Sequence, residues 1–200
     1  MRMKPRCLMS RCLAAGIAIL LSLFSVLHSA LASETVDETL WQAFKAGEAF
    51  AIMRHAIAPG TGDPANFKLG ECSTQRNLSA EGREQARRAG ELFRANGVKE
   101  ALVYSSQWCR CRETARLLAT GPVRDLESLN SFYEAYERRS GQTRELKAWL
   151  QTRPTGKPLI LVTHQVNITA LVGDSVRSGE IFFVKPGSDG EYTVLGTIVP

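Results

Sequence analysis

The 200-residue sequence predicts an α/β fold, a three-layer sandwich with a mainly parallel central sheet. Three observations carry this. Apolar runs of strand length alternate with segments whose apolar residues recur at helical spacing, and such alternation builds a parallel sheet covered by helices. Residues 158–163, PLILVT, are apolar at successive positions rather than at every second one, as expected of a strand buried on both faces. Finally, the apolar runs end on polar or ionisable residues: Arg54-His55, Ser105-Ser106 and His164. In open α/β sheets, sites lie off the carboxyl ends of the strands.

Taken in order, the first 32 residues read as a secretory signal peptide. Arg2, Lys4, Arg6 and Arg11 form a positive region without an acid, residues 13–27 are apolar, and Ala30-Leu31-Ala32 is a small-x-small cleavage pattern. The apolar stretch is shorter than the ~20 residues of a spanning helix. No cysteine follows the cleavage site to take a lipid. The mature chain is therefore expected to be residues 33–200, one domain without a membrane anchor, exported to a periplasm or secreted. Four of the 25 Lys and Arg and none of the 20 Asp and Glu leave with the signal, so the net charge falls from +5 to +1. No basic footprint for nucleic acid remains.

Leu40, Trp41 and Phe44 mark one face of a first helix that stops at Gly47, and residues 50–53 form the first strand. Asn77-Leu78-Ser79 precedes a long helix. Ser79 can cap it, Glu81 and Glu84 suit its dipole, and Ala86, Ala89, Gly90 and Phe93 recur at helical spacing until Asn96-Gly97. Residues 101–104 form the second strand, 110–118 and 143–150 are helical, and 158–163 form the third strand. Asn167 can open a short helix whose amides would face an anion. Residues 181–184 and 192–199, joined by a Pro/Gly/Asp turn, close the fold as a hairpin.

Three cysteines stay with the mature chain: Cys72, Cys109 and Cys111. A lone Cys-x-Cys has poor zinc spacing. In an oxidising compartment the odd number predicts one disulfide, from Cys72 to Cys109 or Cys111, with one thiol left over.

The mature chain holds two histidines, His55 and His164, and each ends an apolar strand. Arg54 precedes the first, and Arg110 lies just beyond the second strand. Arginine's planar fork matches phosphate oxygens, and neutral imidazole is a competent nucleophile. No group of His, Cys, Asp or Glu has metal spacing. The set points to anion chemistry without metal or other cofactor.

These residues resemble the histidine phosphatase superfamily, also called phosphoglycerate mutase-like. Its Arg-His-Gly signature stands here as Arg54-His55-Ala56. Its block of the type SPLxRAxETA stands as SQWCRCRETA, residues 106–115, with the second phosphate-binding arginine at Arg110. Its VTHGG strand end stands as VTHQV, residues 162–166, with the second histidine at His164. NLSAEGREQARRAGELF, residues 77–93, is similar to the family's LTxxGxxQAxxxG helix. In length and build the chain is most similar to secreted heptose phosphate phosphatases of the lipopolysaccharide core and to small phosphohistidine phosphatases. The resemblance implies a phosphoglycerate mutase-like fold and a phosphatase in which His55 attacks phosphorus. Arg54, Arg110 and His164 would bind the phosphoryl oxygens, and water would then release phosphate. The implied partner is a small phosphorylated substrate or an envelope phosphosugar.

Three departures stand out. Ala56 replaces the signature glycine. Gln165 stands where one branch carries an acid, and Ser131, in LNSFYEAYE, stands where the other carries its proton-donating glutamate. Glu134, Glu137 or Asp63 would substitute, with Glu134 preferred. Residues 58–75 and 131–141 are expected to wall the pocket, with Trp108 either stacked on a sugar ring or packed. The alternative to a phosphatase is an inactive phosphate-binding module that keeps the arginines for recognition.

Overall fold

The computed structural model describes residues 38–188 and 190–200; the expected signal peptide lies outside them. Helix α1 covers described residues 38–45. It is followed by β1 (Phe50–Arg54), a 3-10 turn (Cys72–Thr74), α2 (Ala80–Ala95), β2 (Leu102–Ser105), α3 (Cys109–Leu118) and β3 (Val123–Asp125). Two 3-10 turns (Glu127–Leu129 and Tyr136–Arg138) lead to α4 (Arg139–Thr152), β4 (Leu159–Thr163), α5 (Gln165–Val172), β5 (Ile181–Pro186) and β6 (Tyr192–Ile198). The strands form one sheet in the order β3-β2-β4-β1-β5-β6. The first four are mutually parallel and the last two pair antiparallel. This is the mainly parallel α/β sandwich that the alternating pattern predicts.

The successive apolar residues of the central strands explain the layers. Ala51, Met53, Ile160, Val162, Ile181 and Phe183 meet Trp41, Phe44, Phe93 and Leu118 of α1, α2 and α3 on one face. Phe50, Ile52, Leu159, Leu161, Phe182 and Val184 meet Leu146, Leu150, Ile168 and Leu171 of α4 and α5 on the other. Strand side chains alternate between faces, so both sets must be apolar.

Local chemistry sets the helix that anchors the site. Ser79 caps α2, its Oγ accepting from Gly82 N at 3.1 Å, a contact worth about 1 kcal/mol. Gly82 is required by packing: a Cβ there would overlap the Ile57 carbonyl oxygen. The helix start therefore lies directly against the chain leaving β1.

Beyond shifts of a residue or two at element ends, two helix starts and one strand differ from expectation. α4 begins at Arg139, because a 3-10 turn feeds into it ahead of its apolar face. α5 begins at Gln165 rather than at Asn167. Asn167 is buried instead and donates to the Ser128 and Asn130 carbonyls at 3.5 and 2.9 Å. The edge strand β3, not expected from the sequence, is only three residues long with two of them exposed, too short to show a period.

Candidate active site

The register of the sheet aligns three strand ends. Arg54 lies opposite Thr163 in β1/β4, and Ser105 lies opposite Val162 in β2/β4. Two further bonds extend the ladders, His55 N to Thr163 O and Ser106 N to Val162 O, each 2.9 Å. His55 and His164 thus sit side by side at the base of a cavity of about 460 Å³, with Ser106 buried beside them. Residues 60–63, Phe67, Arg76, Trp108 and Arg110 wall one part of it, and residues 131–138 contribute Ser131, Tyr133, Glu134, Ala135 and Arg138.

His55 is buried, and its Nδ1 lies 2.8 Å from the Ala56 carbonyl oxygen. A carbonyl can only accept, so Nδ1 carries the proton and Nε2 keeps its lone pair. Burial, then Arg110 and, to a smaller extent, Arg54 and Arg76 together lower the imidazole pKa to about 3 against the opposing Ala56 bond. The ring is neutral at pH 7. Ala56 itself does not adopt positive φ, since Ala119 is the non-glycine residue that does among those described. Its N–H donates to Thr114 Oγ1 at 3.0 Å, which fastens the backbone next to His55 to α3.

His164 lies with its ring centroid 5.5 Å from that of His55. Gln107 N donates to Asn130 Oδ1 at 2.8 Å, which fixes that amide. The Ser106 hydroxyl donates to the same Oδ1 at 3.2 Å, leaving its Oγ to accept from His164 Nε2–H at 2.9 Å. Burial, with the charge of His55 and the arginines, holds the His164 pKa well below 6.5. It is a second neutral imidazole, held in one orientation.

The arginines surround this pair. Arg54 donates from Nη1 to the Val176 carbonyl at 3.3 Å, and its buried Nε has no partner among the described residues. Arg110 is buried and bonded in bidentate fashion to Asp63, Nη1–Oδ1 at 2.7 Å and Nη2–Oδ2 at 3.1 Å; its Nε is likewise unpartnered. Arg76 was not among the sequence candidates. Its Nε donates to Gly62 O at 2.9 Å and its Nη1 to Ala58 O, so its head stays on the cavity wall. Burial, then the neighbouring Arg110, lowers the pKa of both Arg54 and Arg76. That mutual repulsion is what a dianion would relieve.

α5 opens onto the cavity at Gln165 and Val166, and its N-cap residue His164 makes no side-chain cap. A helix start of this kind favours an anion. Among the described residues, no group of three or more His, Cys, Asp or Glu could hold a metal.

Of the carboxylate candidates, Glu134 lines the cavity, is exposed, and accepts from Asp63 N at 3.4 Å. Glu137 lies in the 3-10 turn outside the lining. Asp63 is consumed by hydrogen bonds. Trp108 is packed: Phe67 stacks on it at 5.1 Å, and its indole N–H donates to Asp63 Oδ2 at 3.0 Å.

Cys72 is bonded to Cys109, with Cα atoms 5.6 Å apart, and Cys111 is a buried free thiol. Burial pushes that thiol up to about 12, so it stays protonated and inert.

Two neutral imidazoles at strand ends, with Arg54 beside them and Arg76 and Arg110 on the cavity wall, make a cationic site suited to an anion. The model of the histidine phosphatase superfamily (branch 1) matches residues 52–149. Over these residues the chain has the sequence pattern of the histidine phosphatase superfamily. The match ends within α4 and does not reach His164. No curated protein matches the sequence. Solved structures share the fold. A protein histidine phosphatase SixA complexed with tungstate is 17% identical with a TM-score of 0.55, covering 76% of this chain and 97% of that one. A SixA from Agrobacterium tumefaciens, described as a putative phosphohistidine phosphatase, is 16% identical with a TM-score of 0.53, over 77% and 98%. A mycobacterial glucosyl-3-phosphoglycerate phosphatase in complex with inorganic phosphate is 17% identical with a TM-score of 0.55, over 74% and 95%.

Proposed function

We propose that this chain is an exported, metal-independent phosphatase that hydrolyses small phosphorylated substrates, phosphosugars or phosphohistidine, through a phosphohistidine on His55. The observation that carries this reading is the Nδ1–Ala56 hydrogen bond of a neutral His55, which frees Nε2 as nucleophile in a cavity lined by Arg54, Arg76, Arg110 and Arg138. Nε2 forms a bond to phosphorus as the bond to the leaving group breaks. Arg54 and Arg110 donate to the equatorial oxygens, where charge must be stabilised, and His164, with its Nε2–H held by Ser106, flanks the group at the cavity base. Glu134 supplies the leaving group's proton. Water then attacks phosphorus, releasing inorganic phosphate and the neutral imidazole.

The names of the structural neighbours, phosphohistidine and glucosyl-phosphoglycerate phosphatases, support these two substrate classes. The disulfide beside the site supports an oxidising compartment, in keeping with the signal peptide of residues 1–32. The arginines and the α5 terminus supply the positive charge that a metal would otherwise provide, so EDTA is expected to leave the rate unchanged. Rapid quench with a 32P-labelled phosphomonoester tests the chemistry. Acid-labile, base-stable label on His55 is expected. Tungstate binding without any such label would instead mark an inactive phosphate-binding module.

A further inference from the structure

Arg110 poses a difficulty for the proposed function. The guanidinium expected to grip the phosphoryl group is already gripped by a carboxylate, in an ion pair whose side chains are only 4% and 8% exposed. A competing anion in a phosphate site ought to weaken it. The pattern of bonds shows how both can be held.

Asp63 engages the Nη1 and Nη2 atoms, the outer edge of the fork. A guanidinium presents a second edge, formed by Nε–H and the other Nη2 hydrogen. On Arg110 the Nε is buried and has no partner among the described residues. An orphaned buried donor is costly, and a phosphoryl oxygen would satisfy it. We propose that Asp63 is the positioning residue of the phosphate clamp: it occupies the outer edge of Arg110 and fixes the guanidinium so that its Nε–Nη2 edge is left for the phosphoryl group. The inference rests on the phosphoryl-binding reading above and extends it to a residue that touches no reacting atom.

Asp63 has no capacity left for another task. Oδ1 accepts from Arg110 Nη1 and from Arg76 N at 3.0 Å, and Oδ2 accepts from Arg110 Nη2 and Trp108 Nε1. Burial by itself would raise the pKa, but the hydrogen bonds from Arg110, Arg76 and Trp108 outweigh it and hold the carboxyl below the usual range. It stays ionised and cannot be the proton donor. Its partners are also the right ones for positioning. Arg76 N belongs to the cavity wall, and Trp108 N-caps α3, the helix that carries Arg110. One carboxylate therefore ties the wall to the helix and the helix to the guanidinium. It also places one negative charge among Arg54, Arg76 and Arg110, whose mutual repulsion would otherwise drive the heads apart.

The test is a double-mutant cycle read by calorimetric tungstate binding, which requires no turnover. Asp63→Asn keeps the shape of the side chain and removes the charge. It is expected to weaken tungstate 10- to 100-fold, as loss of a charge-assisted contact does. Arg110→Ala should weaken it similarly, and the double variant no further than Arg110→Ala alone. Circular dichroism verifies folding; if Asp63→Asn does not fold, Asp63→Glu, which keeps the charge but moves the carboxylate, reads the same cycle. In turnover, kcat should fall by one factor for p-nitrophenyl phosphate and for an alkyl phosphate. Unchanged tungstate affinity in a folded variant, or fully additive losses, would overturn the proposal. So would a kcat loss confined to the alkyl phosphate, the mark of a proton donor. A wild-type protein that binds tungstate but turns nothing over would defeat the phosphatase reading and leave the cycle to decide the role of Asp63.

Discussion

Arg54, His55, Ser106 and His164 stand where parallel strands end, whereas Gly62, Asp63, Phe67 and Arg76 stand in a stretch that runs from residue 57 to 76 with a single 3-10 turn. On the strand ends, position comes from the backbone: the β1/β4 and β2/β4 ladders continue into His55 N–Thr163 O and Ser106 N–Val162 O. A slip of one residue would turn every side chain to the other face of the sheet. Along the wall, position comes from side chains. The Cys72–Cys109 bond, Gln75 Oε1 accepting from Cys109 N at 2.9 Å, the Asp63–Arg110 pair and the Phe67–Trp108 stack hold it to α3. In the proposed reaction the strand ends carry the groups that change bonds, and the stapled wall carries those that set their charge and placement.

The largest break in this comparison is His55→Ala. Removing the nucleophile should lower kcat by at least about 10³-fold, since the covalent route is lost altogether. Tungstate binding through the arginines should persist, because their anchors at Val176 and Asp63 lie elsewhere. Steady-state assays beside calorimetry check both. A variant with a tenth of wild-type turnover would show that the strand end is not the chemical centre.

The strand ends also carry a pH signature. His55 and His164 are buried neutral, with pKa values depressed from 6.5, that of His55 to about 3. Between pH 6.5 and about 3 the unfolded chain takes up protons that the folded chain refuses. The stabilising contribution is therefore complete above pH 6.5 and drains as pH falls through that window. Thermal unfolding should show Tm declining from pH 7 to pH 4, with a shallower decline in His55→Gln. The ion-paired Asp63 and Asp125, with pKa values below the usual 3.8, add their loss only at lower pH. A Tm flat down to pH 4 would mean that neither ring is held neutral by the fold.

Breaking the staple acts on the wall. The bonded cysteines are 37 residues apart, and a closed loop of that size stabilises by roughly 3–4 kcal/mol on loop-closure entropy. Cys72→Ser with Cys109→Ser should lower stability to denaturant by about that amount. Turnover should fall only several-fold, because Asp63 still bonds Arg110. A loss of turnover as deep as that of His55→Ala would erase the distinction between the two regions.

The strand ends were legible in the sequence because apolar runs that stop on Arg54-His55, Ser106 and His164 announce them without any tertiary information. The wall was not. Asp63 and Arg110 meet across 47 positions, a contact with no period and no motif spacing, and Arg76 is held on the cavity wall by carbonyls of Gly62 and Ala58, 14 and 18 positions away in irregular chain. The cysteine pairing was open for a related reason. Positions two apart on a helix point about 200° apart, and only the orientation of α3 decides that Cys109 faces the loop while Cys111 faces the core. The start of α5 was missed because His164 caps it through its backbone alone, leaving no side-chain signal.

A substrate-selective effect sharpens the comparison where the two regions cooperate. Glu134 sits in the second part of the wall, residues 131–138, which no disulfide holds, and its contact with Asp63 N is long at 3.4 Å. It is exposed, whereas Asp63 is saturated with donors and Glu137 lies outside the cavity lining. A carboxyl with spare lone pairs and access to water can exchange a proton in each cycle. Glu134→Gln should leave p-nitrophenyl phosphate turnover within a few-fold, because p-nitrophenolate departs without a proton. Alkyl phosphate turnover should fall about 10²-fold, the lower end of what a positioned general acid contributes. Tungstate affinity should not change, since the phosphoryl contacts belong to the strand ends and Arg110. If both substrates slow equally, Glu134 acts on the shape of the wall and not on the leaving group.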